Sequence, residues 1–194
     1  MADRRTRKTK ALIRSCFLQV MLEHPGRMAQ VTELCERADI NRSTFYFHYD
    51  TVYALLDELE EEFLAHVPYT LFAGGREDRE AHRAEVAAFV AYAQANRDLF
   101  CVLYQQNRIQ GRVTERSVEV LAERYGDSSA DARQLVAAYS CTGTYRLIYD
   151  WLARGAGSGA GPGEEQVTDL LLNLLYYTDQ ARRAAGDGES GAEG

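Results

Sequence analysis

Residues 31–49, VTELCERADINRSTFYFHY, set a short apolar stripe ahead of four aromatic rings and a histidine. Val31, Leu34, Cys35 and Ala38 recur at helical spacing. Asp39 and Ile40 follow, and Asn41 is a strong N-cap for a second short helix running to about Tyr49. At roughly 100° per residue, Phe45 and Tyr49 fall nearly together on that helix and, with Ile40, face inward. Ser43 and Phe47 fall almost opposite them. Thr44 and His48 share one flank, and Tyr46 takes the other. The ring density is that of a core, yet Arg42, Ser43, Thr44 and His48 are surface residues. The helix is two-faced.

On the upstream side, Ile13, Cys16, Phe17, Val20 and Met21 form one helical face, which Pro25-Gly26 ends. On the downstream side, Asp50 or Thr51 can cap a helix whose apolar face is Val52, Leu55, Leu56, Leu59 and Phe63. Two short helices joined by a tight turn and braced on both sides describe a helix-turn-helix module. Its outward display suits DNA. The hydroxyls of Ser43, Thr44 and Tyr46 and the imidazole of His48 can bond phosphates without choosing a base. Free N–H groups in the first helical turn add an anion site. Arg42 can reach a guanine edge or a phosphate, Phe47 can pack on a thymine methyl, and Thr32 points the same way. Two plainer alternatives stand beside these: Phe47 as a third core ring, and His48 in a hydrogen bond between helices.

Charge is unevenly spread. Residues 1–50 carry a net +3, with Arg4, Arg5, Arg7, Lys8, Lys10 and Arg14 near the start, whereas the whole chain of 194 residues carries −7. A basic head on an acidic body suits a polyanion at one end, with salt-sensitive attraction. Cys16, Cys35, Cys101 and Cys141 are far apart, without a C-x-x-C pair, and each lies in an apolar stripe as a core thiol. The four histidines are scattered, so no metal site is expected. No stretch reaches the ~18–20 apolar residues of a membrane span, and no signal-peptide block is present, so the reading is cytoplasmic with no membrane partner. No nucleophile–base motif or glycine-rich phosphate loop is present, and the chain is read as a non-enzyme without a cofactor.

Beyond residue 66 the pattern stays helical. Residues 73–80 are a loose connection. Val86, Phe89, Val90 and Ala93 mark one helix; Leu99, Val102 and Leu103 a short one; Val113, Val120 and Leu121 another, ended by Gly126-Asp127-Ser128-Ser129. Residues 131–153 read as a long helix, GAGSGAGPG (155–163) as a flexible loop, and 164–184 as a last amphipathic helix carrying Val167, Leu170, Leu171, Leu174 and Leu175. The tail GDGESGAEG is read as disordered. No repeat and no convincing strand interrupts this pattern, so the fold class is all-α.

Residues 10–63 resemble the DNA-binding domain of TetR/AcrR-family transcriptional regulators. Thr44, Phe45, Tyr46, His48 and Tyr49 match the family's signature after the turn. The remainder is similar to a DhaS-like branch, through NRSTFY (41–46) and the Gly143…Trp151-Leu152 pattern. The resemblance implies a helix-turn-helix domain at 1–66, a connector at 67–80, a larger helical ligand-binding and dimerisation domain at 81–185, and a tail at 186–194. It also implies phosphate contacts from Thr44, Tyr46 and His48, and base-edge contacts from Thr32, Arg42, Ser43 and Phe47. The function implied is a dimeric, ligand-responsive repressor on a palindromic operator in double-stranded DNA. The alternative is a co-regulator that keeps the fold and acts through a protein partner. A small-molecule effector of unknown identity would sit among Phe89, Tyr92, Phe100, Tyr104, Tyr139, Cys141 and Tyr145, although for any single one of these residues filling the core is the stronger expectation. Leu147, Trp151, Leu171, Leu174 and Leu175 on the last two helices would join the homodimer. Two positions depart from the family pattern. Asp39 stands where the turn usually has Gly, and Val52 where many members carry a phosphate-holding Lys.

Overall fold

A computed structural model describes residues 2–72, 79–125, 130–155 and 161–187. The described residues are helical, without a strand: α1 (Ala2–Glu23), α2 (Val31–Arg37), α3 (Arg42–His48), α4 (Val52–Leu64), a 3₁₀ turn (Tyr69–Phe72), α5 (Arg79–Ala95), α6 (Arg97–Gln105), α7 (Gln110–Tyr125), α8 (Ala130–Ala153) and α9 (Glu164–Asp187). Residues 73–78 of the expected connection at 73–80, the break at 126–129, residues 156–160 of the expected loop at 155–163 and residues 188–194 of the expected tail lie outside the described residues.

The chain forms two compact units. One spans Met1–Ala65 and Asp98–Gln106, the other His66–Arg97 and Asn107–Gly194. Most of α6 therefore clusters with the N-terminal unit, although it follows α5 in the chain. The reason is visible in its side chains. Leu99, Phe100, Cys101, Val102 and Leu103 are all buried, and the Phe100 ring meets Phe63 of α4 edge-on, centroids 5.7 Å apart.

In the first unit the apolar stripes of α1, α2 and α4 are buried as their periodicity requires: Ile13, Phe17, Val20 and Met21; Leu34, Cys35 and Ala38; Val52, Leu55, Leu56, Leu59 and Phe63. Pro25-Gly26 ends α1, with Gly26 at φ +85°. Helix α2 stops in a Schellman turn. The Ile40 N–H donates to the Cys35 carbonyl at 3.0 Å and the Asp39 N–H to Glu36 at 3.3 Å, while Asp39 takes φ +49°. Asp tolerates the left-handed region better than most residues, so the glycine of the usual turn is dispensable here. Asn41 and Thr51, both extended, cap α3 and α4 by accepting from Thr44 N and Ala54 N at 2.8 and 3.0 Å.

In the second unit α5 packs on α9, α7 on α8, and α8 on α9. Val86, Phe89, Val90 and Ala93 meet a core that includes Cys141, Tyr145, Ile148, Leu171 and Leu175. The Ser117 hydroxyl donates to Val113 O at 2.7 Å and lies 3.8 Å from the Cys141 thiol, so this buried pair is satisfied within the core. Burial pushes the Cys141 thiol up to about 11. All four cysteines are free and buried, as their stripes implied. Arg83 pairs with Asp169 at 2.7 Å between α5 and α9. No helix among the described residues is long and apolar enough to cross a membrane, and none of them form a cluster able to hold a metal ion.

Candidate nucleic-acid interface

Seven residues make α3, too few to be helical alone, so its orientation comes from anchors at both ends. At the N-terminal end the Asn41 side-chain oxygen Oδ1 gathers three donors: Thr44 N at 2.8 Å and the hydroxyls of Ser43 and Thr44, both at 2.7 Å. At the other end the helix stops at His48, and Tyr49 turns extended at φ −144° while its ring stays buried. The Tyr49 hydroxyl donates to Glu58 of α4 at 3.1 Å. Burial, then the charge of Glu58, raises its phenol well above the ordinary tyrosine range, so it remains a donor at any physiological pH. Lys10 of α1 sits 5.5 Å from the Tyr49 ring centre and pairs with Glu58. One carboxylate thus ties α1, α4 and the end of α3 together.

Between those anchors the display is as the helical wheel requires. Phe45 is fully buried, its ring 6.0 Å from that of Tyr49. Phe47 is 75% exposed and Tyr46 53% exposed, so Phe47 is not a third core ring. His48 is half-buried, with its ring 5.2 Å from Phe47 and perpendicular to it. Arg42 Nη2 donates to Thr32 Oγ1 at 2.9 Å, joining the starts of α3 and α2. Thr32, Arg42, Ser43, Tyr46 and Phe47 are exposed; Thr44 is half-buried. All seven expected residues lie on α2 and α3, but the hydroxyls of Ser43 and Thr44 are turned toward Asn41 and reach a phosphate only by rotating.

The cations around the module are not all available. Arg14 pairs with Glu62, Arg27 with Glu33 through two bonds of 3.1 Å, and Arg37 with Glu23. Hydrogen bonds from Arg37 and Arg27 hold Glu23 and Glu33 below the usual carboxylate range. Arg4, Arg5, Arg7 and Lys8 along the first turns of α1 are exposed.

Asn41→Ala removes the shared acceptor of this cap. The expected cost is about 1 kcal/mol, typical of cap removal: the Ser43 and Thr44 hydroxyls lose their acceptor, while the Thr44 N–H keeps a 3.1 Å bond to the Asn41 backbone carbonyl. A urea titration of the full chain, following tryptophan-independent far-UV circular dichroism, measures it. No change in midpoint would mean that the cap does not hold α3.

Solved structures align with the chain over nearly its whole length. A TetR-like transcriptional regulator from Rhodococcus sp. RHA1 superposes with a TM-score of 0.61 at 20% identity, covering 89% of this chain and 96% of the other. The TetR transcriptional regulator from Streptococcus agalactiae 2603V gives 0.58 at 22%, covering 90% and 97%. The fold is that of TetR-type transcriptional regulators. The dihydroxyacetone kinase operon activator DhaS shares it at a TM-score of 0.51 and 16% identity, covering 89% and 97%. An uncharacterized HTH-type transcriptional regulator of Bacillus subtilis (strain 168), YxbF, is 19% identical over 187 residues. This chain spans about half the length of that relative, 49% of it. No sequence model of a known family matches.

Within the TetR-type fold, Val52 is buried, at the position where the family resemblance led one to look for a phosphate-holding lysine. It belongs to the core stripe of α4, and the neighbouring Tyr53 is the exposed side chain of that turn. Sequence reading passed over Tyr53; its place one residue outside the apolar stripe was the available signal.

The residues expected to line an effector pocket are not brought together. Phe100 and Tyr104 belong to the first unit, and Phe100 fills its core. In the second unit Phe89 and Tyr145 pack edge-on at 5.8 Å, Cys141 is fully buried, and Tyr92 stacks on His66 at 4.5 Å. Tyr139 is 71% exposed. The expected dimer residues divide as well. Trp151, Leu171 and Leu175 are buried inside the unit, and the indole N–H of Trp151 donates to Pro162 O at 2.8 Å, closing the α8–α9 loop. Leu147 is half-buried; of the five only Leu174 is exposed. The outward apolar side chains of α8 and α9 are instead Leu135, Tyr139, Leu170, Leu174, Tyr176 and Tyr177. Tyr139, Gly143, Leu174 and Tyr177 line a groove of about 150 Å³, continued past Gly143 by one of about 580 Å³ along Leu147 and Leu170.

Proposed function

We propose that the chain is a DNA-binding transcriptional regulator that acts as a two-fold dimer on a near-palindromic operator. The observation that supports this best is the outward face of α3. Tyr46, Phe47 and the guanidinium of Arg42 project from a helix whose opposite face, Phe45, is locked in a core. A short helix held that way presents donors and an apolar ring to a groove. The reading includes repression relieved by a small effector in the second unit, a coupling of distant sites through a two-state helical domain. Dimerisation falls to the outward stripe of α8 and α9, because a monomer rarely leaves so long an apolar face in water. DhaS is an operon activator, so release and recruitment are both open to this fold.

Selection of genome fragments by purified protein, then titration of the best fragment across a salt series, tests the reading. A palindromic site with a steep salt slope is the expected result. Tyr46→Ala and His48→Ala are each expected to weaken every duplex alike, by about 1 kcal/mol or roughly fivefold in Kd, as loss of one phosphate hydrogen bond implies. An effect confined to one base position would overturn their role as phosphate contacts.

A second reading, a co-regulator acting through a protein partner, is favoured by one observation. Lys10 and Arg14 are spent on Glu58 and Glu62, and Val52 is buried, which leaves fewer cations for phosphate. A stable dimer that enriches no fragment, with affinity flat across the salt series, supports this reading over the first.

A further inference from the structure

We propose that Thr32 is a positioning residue: its hydroxyl oxygen holds the Arg42 guanidinium in place to read one base, and Thr32 itself reads none. This inference rests on the DNA-binding reading and refines how that site obtains specificity. Arg42 Nη2 donates to Thr32 Oγ1 at 2.9 Å across the turn between α2 and α3, and both side chains are exposed. An exposed arginine ordinarily samples many rotamers, and ordering it on binding lowers affinity. Here the guanidinium is drawn back over α2. Its charge reaches the Cys35 thiol and opposes the larger upward push that burial exerts there.

Threonine suits the role. Its hydroxyl oxygen carries two acceptor lone pairs, so it can take a guanidinium N–H. Guanidinium carries five N–H donors in a fixed fork, and one bond to Thr32 leaves a free edge for the O6/N7 pair of a guanine. The other polar groups of the first α3 turn are engaged elsewhere, since the Ser43 and Thr44 hydroxyls lie 2.7 Å from Asn41 Oδ1. Base discrimination at the start of α3 therefore falls to Arg42, and its aim to Thr32.

The experiment uses the full chain and the duplex selected by the wild type, with each position of a half-site changed to all four bases. Wild type, Thr32→Val, Thr32→Ser, Arg42→Ala and the Thr32→Val/Arg42→Ala double variant are compared by competition. Arg42→Ala is expected to remove roughly tenfold preference at one base position, within the range for a bidentate contact. Thr32→Val should lower preference at that same position by about fivefold and leave affinity for scrambled duplex unchanged. Thr32→Ser should match wild type within about twofold, and the double variant should match Arg42→Ala, the signature of one residue acting through another. A uniform loss across all duplexes for Thr32→Val would make Thr32 a phosphate contact and overturn the proposal. So would preference lost at a position that Arg42→Ala leaves alone. If Arg42→Ala changes no preference, its base-reading role fails and the proposal with it. If the wild type selects no duplex at all, the DNA-binding reading beneath both has failed, and the two failures are told apart.

Discussion

Phe45→Ala is expected to destabilise the protein by about 3–5 kcal/mol, the range for deleting a buried aromatic ring, and to abolish duplex binding. Phe45 has no exposed surface and contacts both neighbouring rings, Tyr46 edge-on at 5.6 Å and Tyr49 at 6.0 Å. It is the sole fully buried side chain of α3, so nothing else on that helix replaces its grip. A helix of seven residues cannot stay folded without tertiary support. Phe47→Ala, two positions along, is the control. Its ring is 75% exposed, so stability should change by no more than ~0.5 kcal/mol, whereas duplex affinity should fall. Urea midpoints and fluorescence anisotropy on a labelled duplex separate the two effects. Equal destabilisation by both variants would mean that α3 is not oriented as described.

Tyr139→Asp combined with Leu174→Asp is expected to convert the proposed dimer to monomer, raising its dissociation constant at least a thousandfold, roughly 4 kcal/mol. Both side chains are outward, on neighbouring helices, and line one groove. In the proposed dimer a two-fold axis would place each substitution twice in the interface, so four carboxylates would be buried without partners. Neither residue contributes to the core of its own unit, so the monomer should keep its helical signal and melting midpoint. Trp151→Ala should behave in the opposite way. It loses the bond to Pro162 O and a buried ring, and so lowers stability with little direct effect on the interface. Sedimentation equilibrium at micromolar concentration reads the mass. A wild type that is already monomeric would remove dimerisation from the proposed function.

The carboxylate pairs around the first unit set the sign of its acid response. Glu23 and Glu33 are depressed in the folded state, so what they contribute is present above the ordinary glutamate range and lost as pH falls below it. Glu23 is exposed and Glu33 half-buried, each in a surface ion pair, so that contribution is small.

Residues expected around an effector divide between opposite sides of one helix. Tyr139 and Cys141 are two residues apart on α8, hence roughly 200° apart around it, and cannot line one cavity from one helix. That much was legible in the sequence. What was not legible was the direction of α8 itself, because apolar and aromatic residues surround it on most sides. Burial of Cys141 and exposure of Tyr139 follow from which side α7 and α9 occupy.

The N-terminal unit was determined by local rules. Stripe periodicity, the Asn41 and Thr51 caps, the left-handed Asp39 and the two-faced α3 all involve residues within a turn or two of one another, and they agree. Even the burial of Val52 follows from its place in the α4 stripe. Tertiary structure alone decided the rest: that α6 joins the N-terminal unit, that Glu58 gathers Lys10, Arg14 and Tyr49, and that Leu170 and Leu174 are the leucines of α9 that face out. An apolar residue reports that it avoids water, but not which neighbour removes it. A charged residue likewise does not name its partner across 48 positions of chain, as Arg14 does not name Glu62. Those choices belong to packing, which no local pattern encodes.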